Sequence, residues 1–285
     1  MTVTIPHGSM GNRSYVASWT MASVLTFTLP GDVTLEMRRC PAGSFVRGEA
    51  YQSGWWNDYD GDGATVTISK DFYMGTYEVT NAQYAAIMGS SPSSGVGADF
   101  TGDKQPVVYV SWNDIMTDST GFISKLNAKL TETGQLPAGY KFALPTEAQW
   151  EYACRAGTES DLNSGENIEN YEDSDDHTSE VAWYRQNWGA TYNRTHEVGG
   201  LASNSFGLYD MHGNVWEWCA DWDGDYSSTD TTDPTGPTGG SRRVVRGGGW
   251  GDDPYGCASW CRASDVPGDW SRNFGFRLAL VPVQE

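Results

Sequence analysis

The sequence predicts an α+β fold, rich in loops and stiffened by aromatic side chains. Short runs that alternate like strands are interleaved with helices that mark their own starts with capping residues. The 34 glycines and 13 tryptophans among 285 residues point to long loops held by ring packing. No Pro/Ser-rich linker or charge run divides the chain, so one main domain is expected, large enough to bury a sizeable core.

Residues 1–34 read as an N-terminal extension in which strands are expected. Within it, residues 15–29 are mildly apolar, yet Thr and Ser interrupt them and Trp19 sits inside. That makes a poor signal-peptide core and a fair strand pair. The domain proper, 35–285, opens with strands around Leu35 to Met37 and Gly43 to Phe45. The acidic run DYDGDG at 58–63 resembles the start of a calcium-binding EF-hand loop. Ser69 stands where the twelfth-position Glu is required and no helices flank it, so a solvated acidic turn is expected.

Val66 to Ile68 and Phe72 to Met74 alternate like strand residues. Thr80 caps a short helix carrying Tyr84, Ile87 and Met88. Ser111 followed by Asp114 has the form of a capping box. The helix after it places Ile115, Phe122, Leu126 and Leu130 near one face, although Ser119-Thr120-Gly121 weakens its middle. Thr146 with Gln149 is a second box, opening a helix through Trp150 and Tyr152 that ends near Gly157. Residues 157–176 are acidic and aperiodic, the text of an exposed excursion, and 181–184 return to a strand-like run. Residues 206–218 read as a glycine-punctuated loop entering an aromatic strand, and 221–241 as a long loop. Residues 243–246 and 276–280 are expected to be neighbouring core strands that clamp the segment between them.

With 18 basic against 37 acidic side chains the net charge is −19. A phosphate backbone or an anionic membrane surface would be repelled, so neither nucleic acid nor membrane insertion is expected. No transmembrane span is legible. The five cysteines (Cys40, Cys154, Cys219, Cys257, Cys261) are too dispersed for a zinc site and cannot all pair. A Cys219–Cys257 bridge and free buried thiols are both compatible with the text. The four histidines (His7, His177, His196, His212) have no paired helical spacing, so an iron-binding facial triad lacks ligands. Asp210 and Glu217 set two hard carboxylates in one short loop, a donor type that suits Ca²⁺. Residues 251–274 combine Gly, Ser, Asp, Tyr and Trp without period, the composition of a recognition loop.

The motifs FGLYDMHGNVWEW (206–218), RGGGW (246–250) and GFRLA (275–279), with YEVTN (77–81), PVVYVSW (106–112) and LPTEAQWEYA (144–153), resemble the sulfatase-modifying-factor family. Its best-known activity is formylglycine generation. The resemblance runs from about Leu35 to Ala279. It implies an elaborated C-type lectin fold with mixed and antiparallel sheets and flanking helices. It further implies a structural Ca²⁺ held by the carboxylates of Asp210 and Glu217 and the carbonyls of Gly213 and Val215. The enzymes of the family use two cysteines spaced C-x₄-C to bind copper(I). Here Cys257 and Cys261 are C-x₃-C and lie farther from the glycine motif, so no copper and no catalysis are expected. An oxidoreductase acting on a protein cysteine is the alternative. Function sits in sites grafted on folds, so the resemblance alone decides neither reading.

Relatives tend to carry Asn at many positions between Trp250 and Gly275. This chain departs from that pattern at Gly251, Asp252, Asp253, Tyr255, Gly256, Cys261, Ala263, Ser264, Asp265, Gly268 and Asp269. In this it is similar to the variable proteins of diversity-generating retroelements, the treponemal one included, which implies a diversified ligand-binding region at 250–274. Tyr255, Trp260 and Trp270 are then the expected anchors. Asp252, Asp253, Ser264, Asp265, Asp269 and Asn273 are expected to supply polar selectivity. The partner would be a protein or other surface ligand of basic or polar character, met by a monomer exported to the cell surface.

Overall fold

The computed structural model describes residues 22–48, 63–95, 97, 100–170, 175–187, 194–227 and 229–283. The acidic turn expected at 58–63 falls outside them, Gly63 excepted. The first described element is a hairpin of β1 (Val24–Leu29) and β2 (Val33–Cys40), turned by Gly31 and Asp32 at φ 78° and 59°. Three further strands, β5 (Phe72–Gly75), β6 (Tyr140–Ala143) and β14 (Ala279–Pro282), complete a five-stranded antiparallel sheet in the order β1-β2-β5-β14-β6. A smaller sheet pairs β3 (Gly43–Val46) with β4 (Thr65–Ile68), and β10 (Thr231–Thr232) joins β4 in parallel.

The third sheet carries the candidate site. It contains β9 (Trp216–Trp222), β11 (Arg243–Arg246), β12 (Arg262–Asp265) and β13 (Phe274–Gly275), ordered β12-β11-β9-β13. A two-stranded pair, β7 (Ala182–Trp183) and β8 (His212–Gly213), lies beside the glycine-rich loop. The fold is thus α+β with mostly antiparallel sheets, as the sequence predicts.

The capping signals are read correctly by the chain. Helix α1 (Asn81–Met88) begins at a Thr80/Gln83 capping box and stops at Gly89, φ 89°. Ser111 and Asp114 cap α2 (Trp112–Met116), and Thr146 and Gln149 cap α4 (Glu147–Arg155), which ends at left-handed Ala156. The helix expected after Ser111 is two pieces, α2 and α3 (Phe122–Glu132). The break has a steric cause: a Cβ on Gly121 would lie 2.7 Å from backbone atoms of Ile115 and Thr117, and Ser119 is left-handed at φ 64°. The apolar face survives the break, since Ile115, Phe122, Leu126 and Leu130 are all buried. Helix α5 (Asp176–Val181) is capped by Asp175.

Two expectations are corrected. Residues 243–246 and 276–280 are not neighbouring strands: β11 and β14 belong to different sheets, and β13 brings the returning chain back beside β9. The excursion at 157–176 is not uniformly exposed, because Leu162, Ile168 and Asp161 are buried. Its acidic side chains are spent locally: Asp161 accepts from the Ile168 amide at 3.0 Å, and Asp175 from the amides of Glu169 and Thr178 at 2.9 and 2.7 Å. A carboxylate that caps backbone amides can be buried where a free one cannot. All five cysteines are buried free thiols. No helix among the described residues is long and apolar enough to cross a membrane.

Candidate functional site

The two arginines that bracket the glycine motif and the returning strand are internal clamps. Arg246, fully buried, donates to the carbonyls of Ser259, Trp260 and Cys261 at 3.1, 2.7 and 2.5 Å and to Glu151 Oε2 at 2.5 Å. It draws residues 259–261 under the sheet. Arg277 donates to both oxygens of Glu217, to the Gly75 carbonyl at 3.0 Å, and to the carbonyls of Tyr209 and Asp210 at 3.0 and 3.2 Å. Both ends of the 247–276 segment are therefore fixed to the core by charge-assisted hydrogen bonds.

Between Gly251 and Arg262 the segment is mostly interior. A short 3₁₀ turn at Tyr255–Cys257 interrupts it. Asp252 turns inward, accepting from the Gly249 amide and Trp216 Nε1 at 2.8 and 2.7 Å, and burial pushes its carboxyl up. Asp253 accepts from the Gly256 amide at 3.2 Å. Gly256 is tightly placed, since a Cβ there would lie 3.0 Å from Asp252 Cβ and press on that side chain. Trp260 is only 2% exposed, bonds Asp161 through Nε1 at 2.7 Å, and packs edge-on against half-buried Tyr255 at 4.8 Å. Its expected role as a docking anchor is corrected: the ring is core, because the Arg246 clamp pulls its backbone inward. Cys257 and Cys261 are buried, and burial pushes both thiols up, Cys261 to about 12. His212 pins this half. Its Nδ1 faces the Cys257 carbonyl at 2.6 Å and its Nε2 the Asn163 amide at 3.1 Å, so Nδ1 carries the proton.

From Ala263 onward the segment comes to the surface. β12 pairs with β11, so this part is regular where an irregular loop was expected. Ser264 donates to Asp223 at 2.7 Å, while Asp265 accepts from the Val266 amide at 2.8 Å and meets Arg242 at 3.5 Å. Gly268, Asp269 and Trp270 are exposed, and a Cβ on Gly268 would meet only Asn113. Trp270 is 61% exposed and rests on Tyr109 with ring centroids 5.6 Å apart. Asn273 accepts from the Ser271 hydroxyl at 2.6 Å, and its carbonyl takes the Trp216 amide at 2.8 Å. Gly251 stands at the segment's start with open space around it.

Tyr109 and Asn113 belong to this face although they lie outside 250–274. The sequence carried a usable signal, since PVVYVSW is a family motif, but a motif match does not say which side chain faces out. Tyr109 adopts φ 60°, and its amide donates to the Ser271 carbonyl at 2.9 Å, which holds the ring under Trp270.

The carboxylates that the resemblance implies as calcium donors differ in their existing bonds. Asp210 fits: it is buried, Oδ2 accepts from the Gly199 amide at 2.6 Å, and Oδ1 has no partner. Burial and the nearby Glu217 charge move its carboxyl up to about 6. Glu217 does not fit. Its Oε1 takes Nε and Nη2 of Arg277, and its Oε2 takes Arg277 Nε and Trp150 Nε1, all between 2.6 and 2.9 Å. Three N–H groups make these contacts, the Arg277 Nε–H shared between both oxygens, so the carboxylate is already committed to Arg277 and Trp150. Among the described residues no group of three His, Cys, Asp or Glu side chains is close enough to hold a metal ion.

Residues 27–281 match the family described as the sulfatase-modifying factor enzyme 1-like domain. The chain belongs to the sulfatase-modifying-factor family. Within it, the formylglycine-generating enzyme of Streptomyces coelicolor is 29% identical over 303 residues, spanning 85% of this chain and 88% of that protein. Among solved structures, Treponema denticola variable protein 1 superposes with a TM-score of 0.73 at 31% identity, covering 91% of this chain and 99% of that one. PvdO from Pseudomonas aeruginosa gives 0.71 at 26% identity, covering 92% and 99%. The family thus brings together proteins named for an enzymatic activity and a protein named for variability, on one lectin-type fold.

Proposed function

We propose that the chain is a binding protein of this family, presenting the outer half of the segment, residues 263–273 with Tyr109 and Asn113, as its recognition face. One observation carries the reading: Trp270, a large apolar ring, stands 61% exposed on a tyrosine, beside Gly268 and Asp269. Exposed aromatics set on a fixed frame among small polar residues are what recognition surfaces use, and a few such rings carry most of the binding energy. The likeness to a variable protein supports it. The net charge of −19 favours a basic or polar partner, a protein or other surface ligand, met outside the cell.

The alternative is a formylglycine-type oxidoreductase using Cys257 and Cys261, favoured by the relatives that carry that name. Two features weigh against it. The spacing is C-x₃-C, and both thiols are buried with raised pKa values, whereas thiolates are the reactive and metal-binding form. Titration with copper(I) separates the readings. A tight one-to-one complex lost on Cys261→Ser would favour the enzyme. The binding reading is tested on a protein array: captured proteins should be lost with Trp270→Ala plus Asp269→Ala and kept with the remote Lys125→Ala. Capture unchanged by the double variant would overturn it.

A further inference from the structure

The long loop at 221–241 closes over a cavity of about 340 Å³ that the recognition face does not include. Its course is fixed by the small sheet: β10 pairs with β4, and Asp230 and Asp233 accept from the Thr65 and Ser69 amides at 2.9 and 2.8 Å. Gly236, left-handed at φ 70°, lets the loop approach the cavity floor, since a Cβ there would stand 3.1 Å from Asp221 Oδ1. Volumes from roughly 300 Å³ upward are those of small-molecule sites.

Two carboxylates form the floor. Glu147 and Asp221 are 5% and 4% exposed, and they are adjacent, because the Glu147 amide at the start of α4 donates to Asp221 Oδ2 at 2.9 Å. The Glu147 side chain accepts from Tyr226 Oη at 2.7 Å and from Arg262 Nε at 2.9 Å, both on Oε1. Among the described residues nothing donates to Glu147 Oε2 or to Asp221 Oδ1. The donors in the wall are already spent. Arg262 also serves the Gly224 carbonyl at 2.8 Å and Asp223 at 3.1 Å, and Arg47 serves the Ser227 carbonyl at 2.9 Å with its guanidinium over the Tyr226 ring. Burial, with the Glu147 charge beside it, pushes the Asp221 carboxyl up to about 7, so the site's own groups do not fully stabilise its charge.

The unused atoms of the cavity are therefore acceptors, and buried ones, which folded proteins rarely leave without a donor. Two oxygens are too few for a hard metal ion such as Ca²⁺, which takes about six to eight. A primary ammonium carries three donors and a full charge on one centre, enough for both oxygens. Ala148, Pro234 and Pro237 give the walls apolar surface for an alkyl stem. We propose that this cavity binds a primary alkyl-ammonium group through Asp221 and Glu147. A free diamine and a lysine side chain of another protein offer the same chemistry. This inference stands apart from the recognition face, and its failure would leave that reading untouched.

The experiment titrates the full chain by calorimetry with cadaverine, with Nα-acetyl-lysine amide and, as a neutral comparison, with pentanol. At least one amine should bind, and pentanol should bind about tenfold more weakly or less, because charge-assisted hydrogen bonds are roughly twice as strong as neutral ones. Preference for cadaverine names a free diamine as the source, and preference for the lysine amide names a protein side chain. Asp221→Asn, which keeps an acceptor for the Glu147 amide, should weaken amine binding by about a hundredfold, as when one partner of a buried charged hydrogen bond is removed. Binding of neither amine, equal binding of pentanol, or amine binding unchanged in Asp221→Asn would overturn the proposal. Should Asp221→Asn fail to fold, a wild-type crystal soaked with the tighter amine decides. Its nitrogen within hydrogen-bond reach of Asp221 and Glu147 upholds the site, and an amine bound only elsewhere overturns it.

Discussion

The two halves of the segment between Trp250 and Gly275 have similar compositions and opposite fates. From Gly251 to Arg262, Asp, Tyr, Trp and Cys side chains are drawn inward by Arg246, His212 and Asp161. From Ala263 to Asn273, Ser, Asp, Gly and Trp sit on an edge strand and the turn after it, with the backbone anchored and the side chains out. Composition does not separate the halves. The difference is that the inner half's backbone carbonyls and its Trp260 ring are held by buried polar side chains, Arg246, His212 and Asp161, from distant parts of the chain.

The largest test of this division is Trp260→Ala. The ring is buried and its Nε1 bonded to Asp161, so truncation leaves a cavity and removes a buried hydrogen bond. A loss of about 3–5 kcal/mol is expected in denaturant unfolding. A loss below about 1 kcal/mol would mean that the inner half does not belong to the core.

Next in size is a pH effect on the same half. Burial holds His212 down to about 4, and its bonds need the neutral ring. The sign follows from linkage. A histidine with a depressed folded pKa contributes stability that is present above its unfolded value of roughly 6.5 and lost as pH falls toward the folded value. Stability should therefore decline between about pH 6.5 and 4, by an amount on the order of 3 kcal/mol from this group. His212→Gln should be less stable at neutral pH and show a flatter decline. An equally steep decline in the variant would assign the effect to other groups.

Much of the fold was legible in the sequence because its signals are local. Thr80, Ser111 and Thr146 each cap the helix they announce, and left-handed Asp210, Gly213 and Asn214 turn the chain into β9. What was not legible depends on partners far along the chain. Trp260 reads as an anchor until Asp161, 99 residues away, is seen to hold it. Glu217 reads as a metal ligand in the sequence, and its pairing with Arg277, 60 residues on, is visible only in the fold. Strand order failed for the same reason, since β11 and β14 are adjacent in the text's logic and apart in space.

The smallest expected effect on stability is at the outer half, and it is the most telling for function. Trp270 buries one face on Tyr109 and leaves the rest in water. An aromatic pair of this kind contributes about 0.5–1.5 kcal/mol, and solvated surface changes about 0.5 kcal/mol or less. Trp270→Ala should thus cost about 1 kcal/mol, and Asp269→Ala next to nothing, in the same unfolding assay used for Trp260→Ala. Tyr109→Ala should cost more, because its ring also meets Phe100 at 6.1 Å and its backbone anchors Ser271. A ranking with Trp270→Ala as damaging as Trp260→Ala would make Trp270 a packing residue and dissolve the distinction between the halves. The expected ranking leaves an exposed ring that stability does not require, held in place by residues that stability does require. That separation lets a surface change its side chains while the fold beneath it stays the same.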